Sequence, residues 1–148
     1  MNPAHFQIIL ADDDLDDCMF FEEALKEFPL SIRLSIIHDG EKLMQQLNNN
    51  SEKLPDLLFL DLNMPRKNGF ECLSEIKRND KLTHLPVIII STSLVKDVVN
   101  LLYKNGTQYF IRKPAEFSQL KQVIHQALSK MVKQKISQPP TEEFILSQ

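Results

Sequence analysis

The sequence predicts an α/β fold in which a doubly wound parallel sheet carries helices on both faces. Short apolar runs alternate along the chain with amphipathic helical runs, the order that gives parallel strands joined by helical crossovers. Residues 57–60 and 87–90 are apolar at every position, as strands buried on both faces are. The three glycines, Gly40, Gly69 and Gly106, stand singly at element boundaries, so the clustered turns of a dinucleotide or P-loop site are missing.

Phe6-Gln7-Ile8-Ile9-Leu10-Ala11 reads as the first strand and ends in Asp12, Asp13 and Asp14. A helix follows. Asp14 or Asp16 can cap it, and negative charge suits a helix N-terminus. Phe21, Ala24, Leu25 and Phe28 recur at i, i+3, i+4 and i+7 as its buried stripe, and Pro29 closes it. Residues 32–37, rich in β-branched side chains, form the second strand, ended by Asp39 and Gly40. Residues 41–47 are a short helix with Leu43 and Leu47 inward. A polar loop at 48–51 and Pro55 lead to the third strand, Leu57-Leu58-Phe59-Leu60, which delivers Asp61 to its end.

The loop from Leu62 carries Asn63, Met64 and Pro65 and runs to Gly69. Phe70, Leu73 and Ile76 make the next helix amphipathic, and Asn79 and Asp80 end it. Val87-Ile88-Ile89-Ile90 is a central strand ending in Ser91, Thr92 and Ser93. Val95, Val98, Val99 and Leu102 set the face of a fourth helix, which Asn105 and Gly106 stop in the manner of a left-handed cap. Tyr109-Phe110-Ile111 is the fifth strand, followed by Lys113 and Pro114. Phe117, Leu120, Ile124, Leu128 and Met131 define the last helix. Five strands and five helices in this order fit the flavodoxin-like class, a five-stranded sheet in the order 2-1-3-4-5. The expected domain is 1–135. A flexible tail, 136–148, is expected after it, with one apolar patch at Phe144, Ile145 and Leu146.

A net charge of −3 offers no basic field to nucleic acid. Cys18 and Cys72 match no metal-ligand spacing and read as buried hydrophobes in a reducing compartment. The four histidines, His5, His38, His84 and His125, are scattered and make no metal set. No apolar run approaches a membrane span, and the N-terminus lacks the pattern of a signal peptide, so the expected location is the cytoplasm.

The predicted topology brings Asp12, Asp13, Asp61 and Ser91 to the C-terminal rim of the three central strands, where open α/β sheets place their ligands, and the fifth strand adds Lys113. Clustered carboxylates repel and raise one another's pKa, which a divalent cation relieves. Mg²⁺ (or Mn²⁺) takes oxygen ligands, and the backbone carbonyl of Asn63 could supply another. A carboxylate can attack phosphorus, provided the equatorial oxygens are neutralised; the cation, Lys113 and the Ser91 hydroxyl suffice for that. Asp61 is therefore the candidate phosphoryl acceptor. No nucleotide site is evident, so the donor is expected from outside.

These residues resemble the receiver domain of bacterial two-component response regulators, close to the single-domain chemotaxis type, from about Gln7 to about Met131. The matching features are the acidic pair Asp12 and Asp13, the run Asp61, Met64, Pro65 with Gly69 after it, the hydroxyl of Ser91, the aromatic Phe110, and Lys113 before Pro114. The intervals from Asp61 to Ser91 and from Ser91 to Lys113 also suit the family. The stretch Ile90-Ser91-Thr92-Ser93 and the connection 79–85 are similar to the small regulators that serve phytochrome-type sensor kinases. The resemblance implies phosphorylation of Asp61 by a sensor histidine kinase or histidine phosphotransfer protein, and Mg²⁺ held by Asp12, Asp13 and Asp61. It also implies a switch through Ser91, Lys113 and Phe110, and a cis peptide before Pro114.

Four positions depart from the family pattern: Ser91 for the commoner threonine, Thr92 for a small residue, Asp14 as a third acid that could compete for metal, and Arg112 for an aliphatic residue. Leu94 and Leu101 on the fourth helix, Val123 and Ala127 on the fifth, and Tyr109 or Phe110 between them could form an exposed apolar face for partner docking or a homodimer. With no output domain expected after Met131, output would be by binding or by relay of the phosphoryl group. One rival is a phosphatase of the haloacid dehalogenase type, but it needs an acid two residues after the nucleophile, where Asn63 stands. The other is a docking module that works without phosphorylation.

Overall fold

The computed structural model describes residues 5–49, 53–133 and 138–146. Its elements are β1 (Phe6–Ala11), α1 (Leu15–Lys26), β2 (Ile32–Ile37), α2 (Gly40–Leu47), β3 (Leu57–Asp61), α3 (Gly69–Arg78), β4 (Val87–Ser91), α4 (Lys96–Lys104), β5 (Tyr109–Arg112) and α5 (Phe117–Lys133). A short 3-10 turn, Thr141–Glu143, and a sixth strand, β6 (Ile145–Leu146), follow. The sheet runs β2-β1-β3-β4-β5-β6 and every pairing is parallel.

Alternation along the central strands sorts the core into two layers, because successive side chains leave opposite faces of a strand. Ile8, Leu10, Leu57, Phe59, Ile88 and Ile90 pack with α1 and α5. Ile9, Ala11, Leu58, Leu60, Val87 and Ile89 pack with α2, α3 and α4. Both faces of β3 and β4 are thus dry, which accounts for their uninterrupted apolar sequence.

The sheet has six strands, not five, and the expected flexible tail is corrected over residues 138–146. Phe144 is buried against the α4 side, and Leu146 joins the α5 side. The Phe110 N–H donates to Phe144 O at 3.0 Å. Gln138 Nε2 donates to the carbonyls of Tyr103 and Thr107, at 2.7 Å each, and the Tyr103 hydroxyl donates to Pro139 O at 2.7 Å. The rings of Phe144 and Tyr103 meet edge to face with centroids 5.0 Å apart. The reason is physical: β5 would otherwise leave an unpaired edge, and the apolar patch at 144–146 covers it. The expected boundary at 135/136 and part of the 48–51 loop lie outside the described residues.

The expected apolar face is corrected in part. Val123, Ala127, Tyr109 and Phe110 all point into the core. Leu94, Val95 and Leu101 are the exposed apolar residues there. No helix of the described residues is long and apolar enough to cross a membrane.

Candidate functional site

β1 carries the first acid to the rim. The Asp12 N–H still bonds to Ile37 O (3.0 Å), so the ladder runs one residue beyond the strand and fixes this acid in a buried position. Asp12 Oδ1 accepts from the Asp14 N–H, and Asp14 Oδ1 caps α1 by accepting from the Asp17 N–H, both at 3.0 Å. Asp14, expected to compete for metal, is thus occupied as the N-cap and stands outside the carboxylate cluster. Asp13 lies exposed at the mouth.

Asp61 closes β3, and Asp61 Oδ1 accepts from the Asn63 N–H at 3.0 Å. The loop returns so tightly that a Cβ at Gly69 would stand 2.4 Å from the Asp61 carbonyl oxygen. Only glycine lets α3 start against the acid's own backbone. β4 ends in the buried Ser91, whose Oγ accepts from the Ser93 N–H at 3.3 Å and whose carbonyl accepts from the Lys113 N–H at 2.7 Å.

Lys113 binds the cluster together. Its Nζ donates to Asp12 Oδ2 and Asp17 Oδ2 at 2.8 Å each, and to Asp61 Oδ2 at 3.1 Å. Burial opposes the lysine's charge, but hydrogen bonds to Asp12 and Asp17 outweigh it and push its pKa up. Burial pushes the Asp12 carboxyl up too, against the lowering effects of Lys113 and the Asp14 amide. One ammonium cannot neutralise Asp12, Asp13, Asp17 and Asp61. Carboxylate oxygens of Asp12, Asp13 and Asp61 lie within 4.8 Å of one another, a hard, all-oxygen set that suits Mg²⁺ or Mn²⁺.

Of the residues expected to act together, Asp12, Asp13, Asp61 and Lys113 meet directly, and Ser91 sits at the end of the adjoining strand. Phe110 does not reach the rim; it is fully buried among the residues facing α4. The expected cis peptide before Pro114 is corrected: the bond is trans, as are all peptide bonds of the described residues. Trans is the lower-energy form of such a bond by about 0.5–1 kcal/mol, and the Lys113 side chain reaches its three carboxylates from it. Asp17 was missed. The available signal was its spacing: three residues after an N-cap, a side chain lies on the cap's own face.

The family model for the response regulator receiver domain matches residues 8–125. Response regulator Rcp1 of Synechocystis is 33% identical over 117 residues, 76% of this chain and 80% of that protein. A probable methanogenesis regulatory protein, FilR2 of Methanothrix harundinacea, is 29% identical over 124 residues, 82% of this chain and 80% of that protein. Among solved structures, the phosphorylated cyanobacterial phytochrome response regulator RcpA superposes with a TM-score of 0.80 at 32% identity, over 93% of this chain and all of that one. The Mn²⁺-bound form of Rcp1 superposes with a TM-score of 0.78 at 29% identity, over 90% of this chain and 99% of that one.

Proposed function

The chain belongs to the response regulator receiver family, and from that premise we propose that Asp61 is its phosphoryl acceptor. The observation that carries this reading is the pocket itself: Asp61 Oδ2 lies 3.1 Å from the Lys113 ammonium, inside a three-carboxylate set suited to a divalent cation. Asp12, Asp13, Asp61 and the Asn63 carbonyl would hold that cation, which when bound offsets negative charge on the incoming phosphoryl oxygens.

A carboxylate oxygen of Asp61 attacks phosphorus. The O–P bond forms as the donor's N–P or O–P bond breaks, and the donor leaves with the bonding pair. Lys113 turns one N–H toward a phosphoryl oxygen. The Ser91 hydroxyl already accepts from Ser93, so its own hydrogen is free to be donated to another. The product is an acyl phosphate that is held and later hydrolysed, and no separate substrate is turned over. Asn63 cannot serve as the second acid of a phosphatase.

The donor is a sensor histidine kinase or histidine phosphotransfer protein, and likeness to a phytochrome response regulator favours a kinase of that type. Leu15 and Met19 are exposed on α1 beside the acids, and Phe20 packs on Phe117 with centroids 5.6 Å apart, an apolar approach for a helical donor. Phosphorylation is read by displacement of the loop around Ser91 with Phe110. That displacement alters the α4–β5–α5 face, where Leu94, Val95 and Leu101 are exposed, for a downstream protein, for a second copy, or for onward phosphorelay. The setting is the cytoplasm, without nucleic acid.

Incubation with acetyl phosphate or phosphoramidate and Mg²⁺, followed by intact mass, tests the reading. One added phosphoryl group is expected, and Asp61→Asn removes it. Absence of the group from the unmodified chain with both donors overturns it.

A further inference from the structure

We propose that Asp17 is the positioning residue of Lys113, the one partner that holds the lysine head at the pocket through the whole phosphorylation cycle. The proposal deepens the acceptor reading and rests on it.

The ammonium has three N–H groups, and each meets a different carboxylate: Asp12, Asp17 and Asp61. Two of these partners are not constant. Asp12 belongs to the oxygen set that a divalent cation would draw on. Asp61 loses its negative charge when its oxygen is esterified to phosphorus. Asp17 lies outside that oxygen set and undergoes no covalent change, so its bond to Lys113 survives both events.

Asp17 is also firmly mounted. Its N–H is tied to Asp14 Oδ1, and its helix is anchored in the core by Phe21, Ala24 and Leu25. Lys113, by contrast, stands on the connection between β5 and α5, where its backbone N–H bonds to Ser91 O. Its side chain is 10% exposed and that of Asp17 33%, so the pair sits at the lip of the pocket, where the lysine swings least if one hydrogen bond stays fixed. Replacing Asp17 frees a flexible four-carbon side chain to follow whichever anion is nearest.

The Asp17 charge also faces the incoming phosphate, which would slow the reaction. Its direct 2.8 Å bond to Lys113 outweighs that partly screened repulsion. Asp17→Asn keeps the backbone N–H that α1 needs for its cap, so the fold is retained.

The test uses the full chain with saturating Mg²⁺ and acetyl phosphate. Asp17→Asn is expected to take up phosphate about tenfold more slowly. Asp17→Glu, which restores a carboxylate, recovers most of that loss. In the same Mg²⁺-loaded samples, before any phosphodonor is added, the ¹⁵Nζ ammonium signal of Lys113 is expected in the unmodified chain and broadened away in Asp17→Asn. A Lys113 signal unchanged in Asp17→Asn overturns the proposal, as does its absence from the unmodified chain. Wild-type uptake by Asp17→Asn overturns it too and leaves Asp61 as the acceptor. If the unmodified chain takes up no phosphate, the acceptor reading falls and the ammonium signal alone decides whether Asp17 tethers Lys113.

Discussion

The C-terminal rim and the β5 edge are built on opposite principles. At the rim, the buried Asp12 and Asp61 surround Lys113 with more negative charge than the lysine can neutralise, so the arrangement is held against its own repulsion by the strands beneath it. At the edge, Phe144 and Leu146 supply apolar area, and Gln138 and the Phe144 carbonyl satisfy backbone groups of α4, of the connection after it and of β5, with no charge involved. The rim is costly to the fold and chemically capable; the edge stabilises and does no chemistry. Substitutions should separate the two: rim changes alter chemistry without destabilising the chain, and edge changes destabilise it without altering chemistry.

The largest expected effect is at Asp61. Asp61→Asn abolishes phosphoryl uptake by intact mass, yet raises the thermal midpoint of the metal-free protein, because one repelling carboxylate is gone while Lys113 keeps Asp12 and Asp17. A lowered midpoint would break the contrast, since it would make the rim a net source of stability. Next is Phe144→Ala, expected to cost about 2–3 kcal/mol in urea denaturation. That is below the usual Phe→Ala loss, because the short tail can undock instead of holding a cavity open. Its rate of phosphoryl uptake should equal that of the unmodified chain.

The same contrast explains what could be read before the structure. Strand and helix periods located all ten elements of the main domain within a residue or two, because β3 and β4 are apolar throughout and the helices carry regular stripes. The acids and Lys113 stood out because charged residues rarely sit at the ends of buried strands unless they are used. The tail did not stand out. A two-residue strand has no period, and the partner of Phe144 is a sheet edge that exists only after folding. The single stripe read from the sequence leaves Val123 and Ala127 on an outer face, whereas α5 is buried over a wider arc that includes both. Asp17 was hidden in a run of acids, where its spacing from the cap gave a direction but no partner.

A smaller effect sharpens the picture of the rim as closed although charged. Cys18 Sγ donates to Asp12 O just beneath the acids, and Cys72 Sγ donates to Gly40 O on the other side of the sheet. Burial pushes both thiols up to about 12, which leaves roughly one part in ten thousand as thiolate at pH 8. Iodoacetamide at pH 8 should leave both unmodified in the native protein and alkylate both in urea. Rapid native labelling of Cys18 alone would mean that the rim opens to solvent.

The smallest expected effect is a pH dependence at Asp12. Burial raises its pKa in the folded chain above the ordinary aspartate value. The folded protein therefore binds this proton at a higher pH than the unfolded chain does, and the metal-free fold gains stability as pH falls through the raised value. Above that value the acid is charged in both states and burial penalises only the fold. Asp12→Asn removes the penalty, so in EDTA the variant should be the more stable at pH 7. The gap should close as the pH falls through the raised pKa, when the wild-type carboxyl becomes neutral as well. Urea denaturation between pH 7 and pH 4 measures the gap. One that widens in acid would mean that the charged Asp12–Lys113 pair stabilises the fold, and the rim would then resemble the edge after all.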